Sequence, residues 1–232
     1  MLNLIKSRVH SAGRRYLQTV VRAEYESQKY KRQNERPIEY RFVFEAIVRT
    51  GPQTILDVGT GETALPSLMR TCGPVVRAVD NVRDYWPEGM INRHYHVDDE
   101  DAVKGLTGSY DMVTCISVLE HIKPHDAAVR SMLGALKPGG HLVLTCPYRE
   151  EGYVGDVYRM AGAGYGADLP YVCQMYSRAE ADRWFADDRI VTQEYWRVFS
   201  GEYWTFGETL RPAVPVTREE RHQLTCLLIQ KL

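Results

Sequence analysis

No two cysteines in this 232-residue chain are spaced as C-x-x-C; the five present (Cys72, Cys115, Cys146, Cys173, Cys226) are scattered. That excludes a thiolate zinc site and a disulfide framework, and no metal is expected. No apolar run approaches the roughly 20 residues that span a bilayer, and no signal-peptide pattern opens the chain. An excess of one charge is also missing. The net is -1, which gives no electrostatic ground for a nucleic-acid partner. Internal repeats are absent as well. A reduced, cytoplasmic protein is the expectation. What is present is apolar content, 44%, in a length that suits one α/β domain with insertions.

The first 36 residues differ from the rest. They carry nine Lys/Arg against three Glu, a net of +6, and Leu2, Ile5, Val9, Ala12, Tyr16 and Val20 recur at steps of three and four. This reads as a helix that packs its apolar stripe on the body, or one that meets an anionic lipid surface or a partner. A second helix is expected over 37–50. Strands and helices then alternate: strands at 54–58, 75–80, 92–98, 110–117 and 141–147, helices at 62–73 and 126–140. This rhythm predicts a parallel doubly wound sheet. A helix at 177–186 and strands at 189–199 and 222–232 follow, with turns between the last two. The expected division is a helical extension (1–50), a nucleotide-binding core (51–148), a lid or acceptor-binding insertion (149–188) and closing strands (189–232).

"ILDVGTGETALP", residues 55–66, places Gly59, Gly61 and Ala64 at G-x-G-x-x-A spacing after a strand. Such a turn brings backbone close to a nucleotide. Asp80, 19 residues after Gly61 at a strand end, is placed to accept ribose hydroxyls. Asp57 separates two cofactor readings. A carboxylate two residues before the first glycine would repel a pyrophosphate, which argues against an NAD-dependent dehydrogenase. It would attract the ammonium group of a methionine-derived cofactor.

"LDVGTGETALP", "AVD", "YDMVTCISVLEHI" and "LKPGGHLVLTCP", in that order and each at a strand end, resemble the class I S-adenosylmethionine-dependent methyltransferases, in the small-molecule, type 11-like branch. The resemblance covers about residues 52–148. It implies a Rossmann-like, seven-stranded, mostly parallel sheet with its last strand antiparallel and helices on both faces. It also implies S-adenosyl-L-methionine as cofactor and S-adenosyl-L-homocysteine as product. Asp57, Gly59, Thr60 and Gly61 would line the methionine end, and Asp80 with Asn81 the ribose. Asp98 or Asp99 would meet the adenine, with the choice open. Ser117, Val118 and Leu119 would lie along the cofactor. Thr63 stands where the family often has a third glycine.

The acceptor is less marked. If it is a hydroxyl, a general base helps, and His121 has the chemistry for it. Tyr148 stands just past the strand at 141–147, where open α/β sheets place ligands. Residues 148–176 hold six tyrosines and five glycines. Tyr148, Tyr153, Tyr158 and Tyr165 are candidate acceptor contacts, because tyrosine offers a flat apolar face and a hydroxyl. A sugar hydroxyl is the first expectation, and a natural-product hydroxyl or amine the second. N-methylation, protein methylation and a catalytically silent binding module are the alternatives. No N-P-P-Y motif suggests RNA methylation. A homodimer is compatible with the sequence but not indicated by it.

Overall fold

The computed structural model describes residues 2–29, 34–83 and 92–232. They form two compact units, residues 1–33 and 34–232. The first contains one long helix, α1 (Leu2–Ser27), about 39 Å from end to end at 1.5 Å per residue. Val9, Tyr16 and Val20 of its stripe are exposed. Lys31 and Arg32 of the basic count lie outside the described residues. Among the described residues, no helix is long and apolar enough to cross a membrane.

The second unit opens with α2 (Arg36–Thr50). Pro37 sits in its first turn, and Gly51 ends it in the left-handed region with its N–H donating to Ile47 O. Then follow β1 (Thr54–Val58), α3 (Leu65–Thr71), β2 (Val75–Asp80), β3 (Val97–Asp99), β4 (Tyr110–Ile116), α4 (His125–Ala135), β5 (Leu136–Pro147), α5 (Arg178–Trp184), β6 (Arg189–Phe199), β7 (Thr209–Val216) and β8 (Leu224–Gln230). They make one sheet in the order β3-β2-β1-β4-β5-β8-β6-β7. β1 to β5 are mutually parallel, and β8 is inserted antiparallel between β5 and β6. This is the Rossmann-like sheet expected, with an eighth strand at one edge.

That edge strand, β7, was not expected within 200–221. Pro212 and Pro215 argue against a strand in general, but an edge strand tolerates proline because one side of it needs no ladder donors. β3 is shorter than the predicted 92–98. Asn92 diverts the chain: its Oδ1 accepts from the N–H groups of His94 and Tyr95, a local alternative to strand pairing. α4 ends at Ala135, not Gly140. Pro138 biases Lys137 to extended geometry, so β5 starts earlier. α3 covers only seven residues of the expected 62–73, and Leu68 and Cys72 are exposed.

Strand alternation sorts the core into two layers. Val143 of β5 and Met112 and Ile116 of β4 join the layer under α2 and α3. Leu142, Leu144, Cys146 and the following Tyr148 join Val113 and Cys115 in the layer under α4 and α5.

Candidate functional site

The turn after β1 is built around two glycines in the left-handed region, Gly59 (φ 76°) and Gly61 (φ 55°). A side chain on Gly59 would put its Cβ 2.2 Å from Val118 Cγ1, so this position accepts only glycine. A Cβ on Gly61 would meet nothing within 4 Å, so the turn is open on that side. The Gly61 N–H donates to Asp80 Oδ2 at 2.7 Å, which ties the turn to the end of β2. Asp57 is buried and held by two hydroxyls: Thr60 Oγ1 donates at 2.7 Å and Thr114 Oγ1 at 2.6 Å. Burial raises its carboxyl to about 6, against the pull of those two bonds.

Register separates the adjacent acids of β3. Asp99 is paired with Asp80, and Asp98 with Val79. Asp98 is committed to Arg77 Nε at 2.9 Å and His96 Nε2 at 3.0 Å. Asp99 caps the next turn through Oδ1, while its Oδ2 is buried without a hydrogen-bond partner; Arg83 Nε stands 3.6 Å away. Asn81 directly follows Asp80 at the end of β2. Asp57, Asp80 and Asp99 thus stand at the carboxyl ends of three neighbouring strands. Three carboxylates beside an open glycine turn suit a ligand that offers a cation, a diol and an exocyclic amine.

Beyond β4 the chain turns through Ser117 in the left-handed region (φ 51°). Ser117 Oγ donates to Glu39 Oε1 at 2.5 Å, and Thr145 Oγ1 to the same oxygen at 2.7 Å. Arg36 Nη1 bridges Glu39 Oε2 at 2.9 Å and the Ile116 carbonyl at 3.2 Å. Glu39 is fully buried, so this network locks α2 over the ends of β4 and β5. Neither Glu39 nor Arg36 stood out in the sequence. The signal was a glutamate on the buried stripe 39, 42, 43, 46 of α2. Val118 closes on Gly59. Leu119 is buried in the α4-side layer and its carbonyl accepts from Tyr176 OH at 2.7 Å.

Glu120 is buried, and its Oε2 has no hydrogen-bond partner. Burial, reinforced by Glu39, pushes its carboxyl up to about 8. His121 Nδ1 lies 2.7 Å from the Val172 carbonyl, which can only accept, so Nδ1 carries the proton. Burial lowers the pKa of the ring and favours the neutral form. Nε2 therefore presents a lone pair, 4.0 Å from Glu120 Oε1. Tyr171 meets the ring edge-on at 4.5 Å between centroids, and Tyr158 stands at 6.4 Å. Tyr165 reaches Tyr158 at 5.9 Å and is half exposed. Gly166 lies so close to Tyr158 that a Cβ would sit 2.3 Å from its ring.

The structure therefore gathers His121, Tyr158 and Tyr165 of the predicted acceptor residues. It does not bring Tyr148 or Tyr153 to them. Tyr148 lies in the α4-side layer, stacked on His222 at 5.6 Å, with its hydroxyl 3.1 Å from Glu150 Oε1. Tyr153 stacks on Tyr176 and donates to Gln174 Oε1 at 2.6 Å. Among the described residues no His, Cys, Asp or Glu group is arranged to hold a metal ion.

A family profile described as "Methyltransferase domain" matches residues 24–188. The ubiquinone biosynthesis O-methyltransferase of Xanthomonas oryzae pv. oryzae is 33% identical over 117 residues, 47% of this chain and 48% of that one. The chain spans about half the length of the curated relatives it matches. Among solved structures, the magnesium protoporphyrin IX methyltransferase of Synechocystis, with bound S-adenosylhomocysteine, aligns at TM-score 0.52. It is 14% identical and covers 93% of this chain and 100% of its own. The Burkholderia thailandensis 1,6-didemethyltoxoflavin-N1-methyltransferase, with bound 1,6-didemethyltoxoflavin and S-adenosylhomocysteine, aligns at TM-score 0.52. It is 16% identical and covers 82% of this chain and 76% of its own. At these identities the structural likeness is one of fold.

Proposed function

The chain belongs to the methyltransferase-domain family, and from that premise we propose that it methylates a hydroxyl group of a small-molecule acceptor, a sugar or natural-product hydroxyl, with S-adenosylmethionine as donor. When bound, that cofactor supplies an activated methyl group on a sulfonium. Asp57, ionised above about pH 6, faces the ammonium end. Asp80 takes the ribose. Asp99 takes the adenine amino group, because its buried Oδ2 lacks a hydrogen bond and the carboxylate of Asp98 is committed to Arg77. Gly61 leaves the space a ligand needs. Val118 behind Gly59, together with Ser117 pinned to Glu39, shapes the wall along the cofactor.

The observation that carries the acceptor chemistry is the tautomer of His121. With Nδ1–H fixed on Val172, Nε2 is left to accept the hydroxyl proton. Glu120 Oε1 stands 4.0 Å from that nitrogen, and above about pH 8, where it is ionised, it stabilises the imidazolium that forms. Tyr158 and Tyr171 flank the ring and Tyr165 stands beyond Tyr158, and together they orient the acceptor. The O-methyltransferase named among the relatives supports an oxygen acceptor.

Calorimetric titration with S-adenosylhomocysteine tests the cofactor half. Binding is expected in the micromolar range, lost in Asp80→Ala, weakened about tenfold in Asp99→Asn and unchanged in Asp98→Asn, since one good hydrogen bond to a charged group is worth about 1.5–3 kcal/mol. Equal losses at Asp98 and Asp99 would remove the adenine assignment. No binding by folded protein would remove the reading itself.

A further inference from the structure

Tyr148 leads to a second place on the same end of the sheet. Residues 148–151 follow β5, 200–202 follow β6 and 218–222 precede the antiparallel β8, so all three meet at the carboxyl edge. Between them lies a cleft of about 700 Å³, lined by arginines, glutamates and one histidine. It sits two to four strands from β1, roughly 10–20 Å at the usual spacing between strands. The cofactor turn and the His121 pocket do not contribute to it.

The cleft has an ordered floor. Glu150 accepts from Tyr148 OH at 3.1 Å, from Arg218 Nε at 2.9 Å and from Arg178 at 3.4 Å. Arg178 also donates to Tyr195 OH at 2.8 Å. Arg149 pairs with Glu202 at 3.2 Å and lies over the Tyr203 ring. His222 is buried, with its ring stacked on Tyr148. Its Nδ1–H donates to the Glu220 carbonyl at 2.7 Å, so Nε2 is an acceptor. That atom has no hydrogen-bond partner; Glu150 Oε1, 3.9 Å away, is an acceptor too. A buried lone pair without a donor calls for one.

The lining decides the class of ligand. Apart from the His222 ring, every lining side chain ends in a charged group, so an apolar ring gains little there. A free ion would compete with the pairs Arg149–Glu202, Arg178–Glu150 and Arg218–Glu150. A polyol fits, because each hydroxyl both donates and accepts, and here carboxylate oxygens and guanidinium N–H groups stand side by side. We infer that the Glu150–His222 cleft is a binding subsite for a neutral sugar, with His222 Nε2 accepting one hydroxyl proton and the Glu150–Arg218 pair holding neighbouring hydroxyls. Resting on the proposed methyl transfer, this makes the acceptor a glycan longer than one ring. Its reactive hydroxyl lies at His121, and a distal sugar lies in the cleft.

The test is saturation-transfer NMR on the full chain with methyl glycosides of neutral hexoses and 6-deoxyhexoses, and with methyl glucuronide and catechol as anionic and apolar probes. At least one neutral glycoside is expected to bind in the millimolar range. Its affinity should fall about tenfold in His222→Asn and in Arg218→Met, the loss typical of one or two good hydrogen bonds. Arg218 is half exposed, so its variant keeps the test valid if His222→Asn does not fold. Binding of glucuronide or catechol alone overturns the inference. So does neutral-sugar binding that is indifferent to both cleft variants, or its absence from the wild type. Titration with S-adenosylhomocysteine on the same samples separates the two readings. Glycoside binding without nucleoside binding would sink the methyl transfer and leave the cleft, and the reverse would sink the cleft.

Discussion

Glu120 and Glu150 are both glutamates just beyond the carboxyl ends of strands, and the protein treats them in opposite ways. Glu120 is walled in, keeps one oxygen without a partner, and is pushed up to about 8 by burial. For Glu150, burial also opposes ionisation, but Arg178 and Arg218 outweigh it and hold the carboxyl below its ordinary value. One site keeps a proton that can move near neutral pH. The other keeps a fixed charge. Titratable groups driven apart in this way mark which end does acid–base work and which recognises a ligand. Under the function proposed above, the β4 side would do the chemistry and the β5–β8 side would recognise the acceptor.

The largest effect is expected at the anchor of the β4 side. Glu39→Ala strips Arg36, Ser117 and Thr145 of their shared partner in the core. Breaking a buried pair of this kind costs about 3–5 kcal/mol, read by urea denaturation. Glu39→Gln keeps part of the bonding and should cost less. If alanine costs under about 1 kcal/mol, the network is not what fixes α2 over the site.

Glu120→Gln comes next, and its sign depends on pH. Between the ordinary glutamate value of 4.5 and about 8 the folded protein holds a proton that the unfolded chain has released. The stability this carries is full below 4.5 and is lost as pH rises through 8. Gln cannot titrate, so the variant should gain on the wild type across that window. At pH 9 the gain should be on the order of 2–4 kcal/mol relative to pH 5, given 1.36 kcal/mol per pKa unit. A flat difference from pH 5 to 9 would mean that Glu120 is ionised throughout, and the contrast with Glu150 would vanish.

Part of this was legible in the sequence. The Gly59–Gly61 turn, Asp57 and Asp80 could be read because local chemistry fixes them: only glycine enters the left-handed turn, and a strand end fixes where the acid points. The choice of Asp99 over Asp98 needed the register of β3, which Asn92 shortens by capping its own backbone. Tyr148 was placed near the chemistry by its height along β5. Counting in twos from Leu142, Leu144 and Cys146 puts it on the opposite face from Thr145, which bonds Glu39. The proline-bearing β7 was hidden because an edge position is a tertiary fact, and His222 because its neighbours come from segments some 70 residues apart.

Glu150→Gln should show the inverse pH trend. Its contribution is full above the ordinary glutamate range and disappears as pH falls through the lowered folded value. Arg218 is half exposed, so screening limits the cost to about 0.5–1.5 kcal/mol at pH 8, and 1 M salt should reduce it. A cost that grows in acid, or ignores salt, would place Glu150 in the same class as Glu120.

Tyr148→Phe is the smallest change and the sharpest test of the division. It removes a hydroxyl 3.1 Å from Glu150 and leaves the ring stacked on His222. The expected cost is about 0.5–1 kcal/mol in stability, with S-adenosylhomocysteine affinity unchanged. With an acceptor in hand, the two sides predict different kinetics. A recognition residue raises KM and spares kcat, whereas a catalytic one lowers kcat at constant KM. His121→Asn should show the second pattern and Tyr148→Phe the first. If both lower kcat alike, the cleft and the pocket are one active site, and the separation read from strand parity fails.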